Sequence, residues 1–474
     1  MQRLICLSWR RGIWVFLLSA WLCGVATAGL AERIDKIVGK RQGGSHSIRV
    51  VQADSGATVY SHRADRALIP ASNMKLVTTA AALDYLGSDF EYTTKVGLCG
   101  ETLVVIGSGD PLLGDKKTDA RHGRQEGWIF ERIAQVLQDK GIQEINDIIV
   151  DTTVFDDQRV HPNWPAKDYN RWYACEVSGL NYNANCIEVI ANRLGNAVAI
   201  SVEPRTNFVH IINEVKAISN GDGAVGSYRN RQPNKITIFG KCKSRQGPFR
   251  VAIEQPAAFF GYLLAEKLVR VGINATGRLI EKPAPDDCEF RLLVEFTTPV
   301  ADVLRRANTD SLGLAAEALL KTIAAHESNT GTDGSWPRGR ELLCRYLSGL
   351  GIDSDEFHVD DGSGLSRENR LSAHAISTML LALYRSDNWE LYRDSLAVGG
   401  EEGTIGKYFQ DVPYRGEIVA KTGYISGVRA LSGFCHTQQG PYIFSIISNG
   451  PRGFSRDEIN GVAKAIIDEF GSRQ

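Results

Sequence analysis

The chain has 474 residues, of which 43% are hydrophobic and 23% charged, and this globular composition excludes a largely disordered or collagen-like protein. Lys and Arg total 54 against 55 Asp and Glu, so the chain lacks the basic excess typical of nucleic-acid-binding proteins. A single core does not grow to this size, so we expect two or more domains, or one domain with large insertions.

The first 28 residues have the pattern of a secretory signal peptide. Arg3, Arg10 and Arg11 precede an apolar run at 12–25, and the small residues that a signal peptidase requires end at Ala28. The run of about 14 residues is shorter than the roughly 20 needed to span a bilayer. We therefore predict cleavage after Ala28 and export to the periplasm or cell envelope, with an uncleaved membrane anchor as the alternative.

The cysteines predict no metal site. Without the predicted signal peptide, seven of the nine cysteines remain, and this odd number leaves at least one thiol unpaired within the chain. Cys175 and Cys186 form the most plausible local disulfide, although connectivity cannot be deduced from sequence. Neither Cys-x-x-Cys nor His-Glu-x-x-His occurs, so we expect no metal and no cofactor.

The predicted elements begin with a β-hairpin at 47–60, which alternates polar and apolar residues around a glycine-containing turn. Apolar residues then recur with helical spacing over 72–86. This helix opens with Ser72, and Lys75 follows one turn later. Because residues i and i+3 share one face of a helix, the amine would lie beside the hydroxyl and could act as its base. The alternative is a helix-capping serine with a solvated lysine.

The middle of the chain, roughly 98–285, consists of short β-like runs such as Thr102–Ile106 and Ile148–Asp151. Beyond 298 helical periodicity returns, and Ser311 directly precedes a predicted helix that begins near Leu314. Ser311 could relay a proton between Ser72 and Lys75, or simply cap that helix.

The end of the chain predicts a strand, a hairpin and a final helix. Lys421-Thr422-Gly423 lies on the strand, the hairpin follows at 428–448, and the helix spans 459–470. A strand edge can pair with an extended peptide, and Lys421 and Thr422 could hold its carboxylate. Taken alone, the tripeptide also fits an ordinary edge strand. The order of elements predicts one α+β domain interrupted by a large β-rich insertion.

In chain order these motifs resemble the Ser-x-x-Lys, Ser-x-Asn and Lys-Thr-Gly motifs of penicillin-binding proteins. The flanking residues are similar to the class C low-molecular-mass group, the D-Ala-D-Ala carboxypeptidases/endopeptidases. The resembling segments are Pro70–Leu76, Gly107–Pro111, Asp361–Arg367 and Lys421–Gly423. The resemblance implies a β-lactamase-like transpeptidase domain, an antiparallel sheet flanked by helices, at 29–97 and 286–474. It also implies that 98–285 forms two small inserted domains.

The resemblance also implies roles for individual residues. Ser72 would be the acylated nucleophile, Lys75 its base and Ser311 a proton relay. Lys421 and Thr422 would bind the carboxylate of a peptidoglycan stem peptide or of a β-lactam antibiotic, and Gly423 would let the backbone of the substrate approach the strand closely. The oxyanion hole would use the backbone N–H groups of Ser72 and Ile425, and Asp168 would contact the diamino acid of the peptide.

Two residues depart from the family pattern: Gly313 replaces the motif asparagine, and Tyr424 stands where Thr or Ser often follows Lys-Thr-Gly. Losing a buried polar partner costs about 1–3 kcal/mol, which slows a reaction roughly 10- to 150-fold. We therefore expect an exported serine D-Ala-D-Ala carboxypeptidase/endopeptidase. The alternatives are a weakened or inactive peptidoglycan-binding protein on the same fold, and a β-lactamase.

Overall fold

The computed structural model of the protein describes residues 29–41, 43–328 and 334–473. The predicted signal peptide at 1–28 lies outside the described residues. Among the described residues, no helix has both the length and the apolar character needed to cross a bilayer.

A six-stranded antiparallel sheet, here called the first sheet, joins the N-terminal and C-terminal parts of the described chain. Both predicted hairpins are confirmed and lie side by side in it, with Ser45 opposite Asn449 and Gln52 opposite Tyr442. The short strand Ala397–Val398 pairs with part of the strand that carries Lys421. The order across the sheet is Ala397–Val398, Ile418–Ile425, Val428–Thr437, Gly440–Asn449, Ser45–Gln52 and Thr58–His62.

Helices cover both faces of the first sheet, because successive side chains on its strands point to opposite faces. Cys435 and its neighbours on one face pack against the helix at 29–39 and the C-terminal helix Arg456–Phe470. Phe434 on the opposite face packs in the core that contains the helix Met74–Leu86. The latter face therefore positions the predicted nucleophile.

The helix Gly313–His326 is buried along nearly its whole length within the same core. It packs between the helices Met74–Leu86, Val300–Asn308 and Trp336–Gly349. The remaining helices are Lys116–Arg121, Trp128–Asp139, Pro256–Arg270, Ala373–Tyr384 and Trp389–Asp394, with 3-10 turns at Ala71–Asn73, Ala166–Asp168, Asn183–Asn185 and Gly403–Ile405.

A second sheet of five strands lies in the middle of the sequence. It packs against the helices Trp128–Asp139 and Pro256–Arg270, whose apolar sides share its core. These two helices were not predicted. The order across the second sheet is Leu279–Glu281, Ile148–Asp151, Thr102–Ile106, Glu91–Cys99 and Arg291–Pro299.

Smaller sheets complete the inserted region. One contains Ala224–Arg229, Lys235–Cys242 and His210–Ala217, and the other contains Arg245–Ala252, Cys186–Leu194 and Ala197–Glu203. Two-stranded pairs join Asn274–Ala275 to Glu144–Ile145 and Phe357–His358 to Arg370–Leu371. The expected α+β class with a β-rich middle is confirmed. The predicted division at 98 and 285 stays a prediction, and the strands of the second sheet span 91–299.

The disulfide prediction was wrong. Cys99 is bonded to Cys288, whereas Cys175 and Cys186 are both buried free thiols. Cys99 ends one strand of the second sheet, and Cys288 comes just before the neighbouring antiparallel strand, in which Arg291 lies opposite Leu98. The sheet therefore brings together two residues that are 189 positions apart in the sequence.

Candidate active site

Ser72 lies in the 3-10 turn Ala71–Asn73, directly before the helix Met74–Leu86. Its neighbours Ala71 and Asn73 are buried, but Ser72 is half-buried and so reaches solvent. Ala71 has a φ of 46°, a left-handed conformation that costs a non-glycine residue energy and occurs preferentially at functional sites. The predicted neighbour is in place, because Nζ of Lys75 lies 3.4 Å from Oγ of Ser72.

The amine of Lys75 is buried, with the side chain 3% exposed. It donates a hydrogen bond of 2.6 Å to the carbonyl oxygen of Ser363. Burial lowers the pKa of Lys75 to about 8, against the opposing charges of Glu317 and Asp361. A lysine with a lowered pKa has a larger neutral fraction near pH 7 and can accept a proton.

Ser311 and Lys421 form the second half of the site. Nζ of Lys421 donates to Oγ of Ser311 at 2.8 Å and to the carbonyl oxygen of Thr422 at 2.9 Å. Burial lowers the pKa of Lys421 well below its usual range, and the charge of Lys75 adds to this effect. The strand Ile418–Ile425 packs against the 3-10 turn Ala71–Asn73, which brings the two halves of the site together.

Ser311 is not a helix cap, since the N-cap of the helix Gly313–His326 is Leu312. Ser311 instead has a left-handed backbone, with a φ of 60°. Its hydroxyl contacts Lys421, whereas the sequence predicted a relay between Ser72 and Lys75. The structure thus places Ser311 beside the second lysine of the site.

The strand Ile418–Ile425 presents alternate backbone groups to its two sides. The carbonyl of Glu417 accepts from the N–H of His436 on one side, and the carbonyl of Ile418 accepts from the N–H of Gly399 on the other. By this alternation Ile425, which lies opposite Val428, directs its N–H into the hairpin. The register therefore argues against Ile425 as an oxyanion donor.

The same register places the backbone groups of Thr422 and Tyr424 on the side of the strand that Ala397–Val398 occupies further along. Tyr424 is therefore the better candidate for the second oxyanion donor. A Cβ at Gly423 would lie 2.5 Å from the carbonyl oxygen of Pro70. The glycine thus lets the serine segment approach the strand closely, and its predicted role towards the substrate stays a prediction.

Gly313, where the family pattern has asparagine, packs against the inserted region. A Cβ at this position would lie 2.9 Å from the backbone carbonyl oxygen of Tyr173. Real Cβ atoms do not approach backbone oxygen atoms so closely without a shift of the backbone. The space beside residue 313 is therefore filled by the chain itself.

Asp168, the predicted contact for the diamino acid, lies in the 3-10 turn Ala166–Asp168. Its carboxylate accepts a hydrogen bond of 3.3 Å from the hydroxyl of Tyr173. Asp168 is therefore linked to the site through Tyr173 and Gly313, and its role stays a prediction.

Glu317 is a central residue of the site that the sequence did not reveal. It is fully buried on the helix Gly313–His326 and accepts hydrogen bonds from the N–H groups of Gly362 and Ser363 at 3.0 and 2.7 Å. Trp336 donates a further bond of 2.8 Å. Burial, followed by the nearby charge of Asp361, raises the pKa of Glu317.

The loop Asp361–Ser366 is held in place by hydrogen bonds to the carboxylate of its first residue. The carboxylate of Asp361 accepts from the N–H groups of Gly364 and Ser366, both at 2.7 Å. Trp164 of the inserted region donates to the same carboxylate at 2.8 Å. Gly364 has a φ of +79°, and a Cβ there would collide with the carbonyl oxygen of Ala71. The loop can therefore pack tightly beside Ser72.

Comparison with known proteins identifies the family of this chain. Residues 30–470 match the family described as D-Ala-D-Ala carboxypeptidase 3 (S13). A D-alanyl-D-alanine carboxypeptidase of Actinomadura sp. (strain R39) is 29% identical over 483 residues, which cover 95% of this chain and 86% of that protein.

Solved structures show the same fold. Penicillin binding protein 4 from Haemophilus influenzae has a TM-score of 0.77 at 20% identity, covering 92% of this chain and 98% of that one. A complex of the same protein with a novel β-lactam has a TM-score of 0.72 at 19% identity, covering 92% and 99%. The expected penicillin-binding-protein fold is therefore confirmed. With a family match over nearly all of its described length, this chain belongs to the D-Ala-D-Ala carboxypeptidase 3 (S13) family, the class C penicillin-binding enzymes.

Proposed function

We propose that this chain is an exported serine D-Ala-D-Ala carboxypeptidase that acts on peptidoglycan stem peptides through an acyl-enzyme on Ser72. The observation that carries the proposal is the meeting of Ser72, Lys75, Ser311 and Lys421, which come from three distant parts of the sequence. Membership of a D-Ala-D-Ala carboxypeptidase family supports the substrate class.

In the acylation step, neutral Lys75 takes the proton of the Ser72 hydroxyl as Oγ attacks the carbonyl carbon between the two D-Ala residues. The C–N bond then breaks, the D-Ala amine leaves with a proton, and the peptide remains as an ester on Ser72. Ser311, in contact with Lys421, lies on a path for the proton that the amine receives. Water then hydrolyses the ester and restores the hydroxyl.

The groups at the open side of the Lys421 strand fit a substrate that ends in a carboxylate. Lys421 and Thr422 would bind this carboxylate by charge and hydrogen bonding. The backbone N–H groups of Ser72 and Tyr424 would stabilise the negative charge that develops on the attacked carbonyl oxygen. β-Lactams, one of which is bound in the Haemophilus protein, would acylate Ser72 in the same way, with opening of the lactam ring.

Export to the periplasm or cell envelope is part of the proposal. It is supported by the signal-peptide pattern at 1–28 and by the Cys99–Cys288 disulfide, because disulfides persist mainly in oxidising compartments. The alternative of an inactive binding protein, which Gly313 suggested, is not favoured, since the two lysines keep their serine partners despite the glycine.

Release of D-Ala from a stem pentapeptide tests the proposal. We expect the wild-type protein to release D-Ala, penicillin to block the release, and Ser72→Ala to reduce it by a factor of roughly 10⁴ or more. Ser88→Ala, which alters an exposed serine after the same helix, is the matched control and should keep full activity. Absence of release by the wild type, or equal release by Ser72→Ala, would overturn the proposal.

A further inference from the structure

A small cavity of about 130 Å³ lies beside the strand that carries Lys421, and Thr422, Gly423 and Tyr424 form one of its walls. The C-terminal helix and the turn Gly403–Ile405 contribute to the other walls, with Arg456 and Thr404. The cavity therefore adjoins the same strand residues that would hold the substrate carboxylate.

Two arginines line this cavity, whereas no carboxylate does. The guanidinium of Arg429 lies 4.6 Å from the ring centre of Tyr424, and that of Arg456 lies 4.8 Å from the ring centre of Tyr408. Within the described part of the chain, neither guanidinium has an acidic partner within ion-pair distance. Stacking on an aromatic ring leaves the N–H groups at the edge of a guanidinium available for an anion.

Thr404 forms part of the wall of the cavity. Oγ1 of Thr404 is buried and has no hydrogen-bond partner among the described residues, although buried hydroxyls normally have one. The backbone N–H of Thr404 is bonded to the carbonyl oxygen of Thr309 at 3.1 Å, which fixes the residue in place. Among the described residues, the cavity thus has two arginines without an acidic partner and a wall that Thr404 holds in a fixed position.

The location of the cavity relative to the scissile bond follows from the proposed function, on which the inference rests. If Lys421 and Thr422 hold the carboxylate of the residue that leaves, a larger leaving group would continue past Thr422 over the edge of the strand, where Thr422 and Tyr424 line the cavity on the side of the C-terminal helix. A single D-Ala has one carboxylate, which those residues already bind. A second anion site would therefore bind only a larger leaving group, one that has a further carboxylate.

We propose that this cavity is a leaving-group subsite in which Arg429 and Arg456 bind a second carboxylate, and that Tyr424 and Tyr408 orient them by stacking. The ligand is a leaving group with more than one carboxylate, such as the stem peptide released from a cross-link. Tyr424, which departs from the family pattern, is then a positioning residue matched to Arg429.

Comparison of two substrates tests the subsite. One is a stem pentapeptide, which releases D-Ala, and the other is a cross-linked dimer of stem peptides, which releases a peptide with several carboxylates. For the double variant Arg429→Gln/Arg456→Gln, the ratio of kcat/KM for the dimer to kcat/KM for the pentapeptide should fall roughly tenfold, mainly through KM. Arg132→Gln, at an exposed arginine outside the cavity, should leave the ratio unchanged.

The matched control substrate is a dimer in which the additional carboxylates of the leaving peptide are amidated. For this substrate, the ratio of its kcat/KM to that of the pentapeptide should be the same in the double variant and in the wild type. The rate of acylation by penicillin reports whether the variants are folded. An unchanged ratio in the double variant, or a wild type that cleaves only the pentapeptide, overturns the subsite and leaves the proposed function intact. A wild type that cleaves neither substrate and is not acylated overturns the proposed function, and the subsite with it.

Discussion

At the scale of single residues, burial of the Lys75 amine sets the chemistry of the site. The loss of hydration favours the neutral amine, and the charges of Glu317 and Asp361 limit the effect, so that the pKa falls to about 8 rather than further. A general base is most effective when its pKa lies near the working pH. In the proposed mechanism, neutral Lys75 would deprotonate Ser72 close to neutral pH.

The rate at which penicillin acylates the protein should therefore rise with pH and level off above about pH 8, because only the neutral form of Lys75 accepts a proton. Below that pH the amine is increasingly protonated and the rate falls. Lys75→Met should reduce the rate by about 10²–10⁴ and remove this dependence. A wild-type rate that does not change between about pH 6 and about pH 9 would contradict the role of Lys75 as base.

Glu317 should act on Lys75 and on the loop Asp361–Ser366 together. Glu317→Gln removes a charge that raises the pKa of Lys75, so the rise in acylation rate should move to lower pH. The amide also places a donor where three donors converge, which should destabilise the fold by about 1–3 kcal/mol.

Thermal unfolding and the pH profile of acylation measure these two effects of Glu317→Gln. Glu341→Gln, at an exposed glutamate paired with arginines, is the control and should cost no more than about 1 kcal/mol. If Glu317→Gln leaves both the Tm and the pH profile unchanged, Glu317 has no positioning role.

At the scale of elements, the inserted region closes the site at the start of the helix Gly313–His326. Tyr173 occupies the space that a side chain at 313 would need, and Trp164 reaches the loop behind Lys75 through Asp361. The absence of a side chain at Gly313 therefore allows the inserted region to pack closely there, so the glycine has a structural role of its own.

Restoring the family residue should reduce activity. Gly313→Asn and Gly313→Ala both introduce a Cβ against the carbonyl of Tyr173, and such overpacking typically costs about 1–3 kcal/mol. We expect a lower Tm and slower acylation by penicillin in both variants. Gly349→Ala, at a helical glycine with open space around it, is the control and should change neither. Faster acylation by Gly313→Asn would instead indicate a degenerate site.

The sequence revealed those elements and residues that carry a local pattern. Periodicity gave the hairpins and the helix after Ser72, and motif order gave Ser72, Lys75 and Lys421. Glu317 was missed because a single acid in an apolar helix has no partner in sequence, although a charged residue at a core position is itself a signal. The resemblance implied Ile425 as an oxyanion donor, and the register of the strand argues against it; this register depends on the neighbouring strands and could not be read from the sequence.

At the scale of the whole molecule, two sheets with separate cores share one chain, and the contacts between distant segments could not be read from the sequence. The Cys99–Cys288 bond joins two neighbouring strands of the second sheet whose cysteines are 189 positions apart in the sequence. Likewise, the sequence did not predict the helices Trp128–Asp139 and Pro256–Arg270, because the short β-like runs around them indicated strands. Tertiary packing, rather than local propensity, decides such features.

The Cys99–Cys288 bond should stabilise the second sheet. Replacing both cysteines by serine should cost about 2–5 kcal/mol and lower the Tm, while the initial rate of acylation at 25 °C stays close to that of the wild type, since Ser72 and Lys421 belong to the elements around the first sheet. A reducing agent should lower the Tm of the wild type but not that of the double variant. An equal effect of the reducing agent on both proteins would contradict this role.

The central claim is that the Ser72 hydroxyl, deprotonated by Lys75, forms the covalent intermediate. Mass spectrometry of the penicillin-treated protein after proteolysis tests it most directly, because it locates the adduct on a peptide. We predict one penicilloyl group on the peptide that contains Ser72 in the wild type, none in Ser72→Ala, and much slower labelling of Lys75→Met. An adduct on another residue, or labelling of Ser72→Ala at the wild-type rate, would contradict the claim.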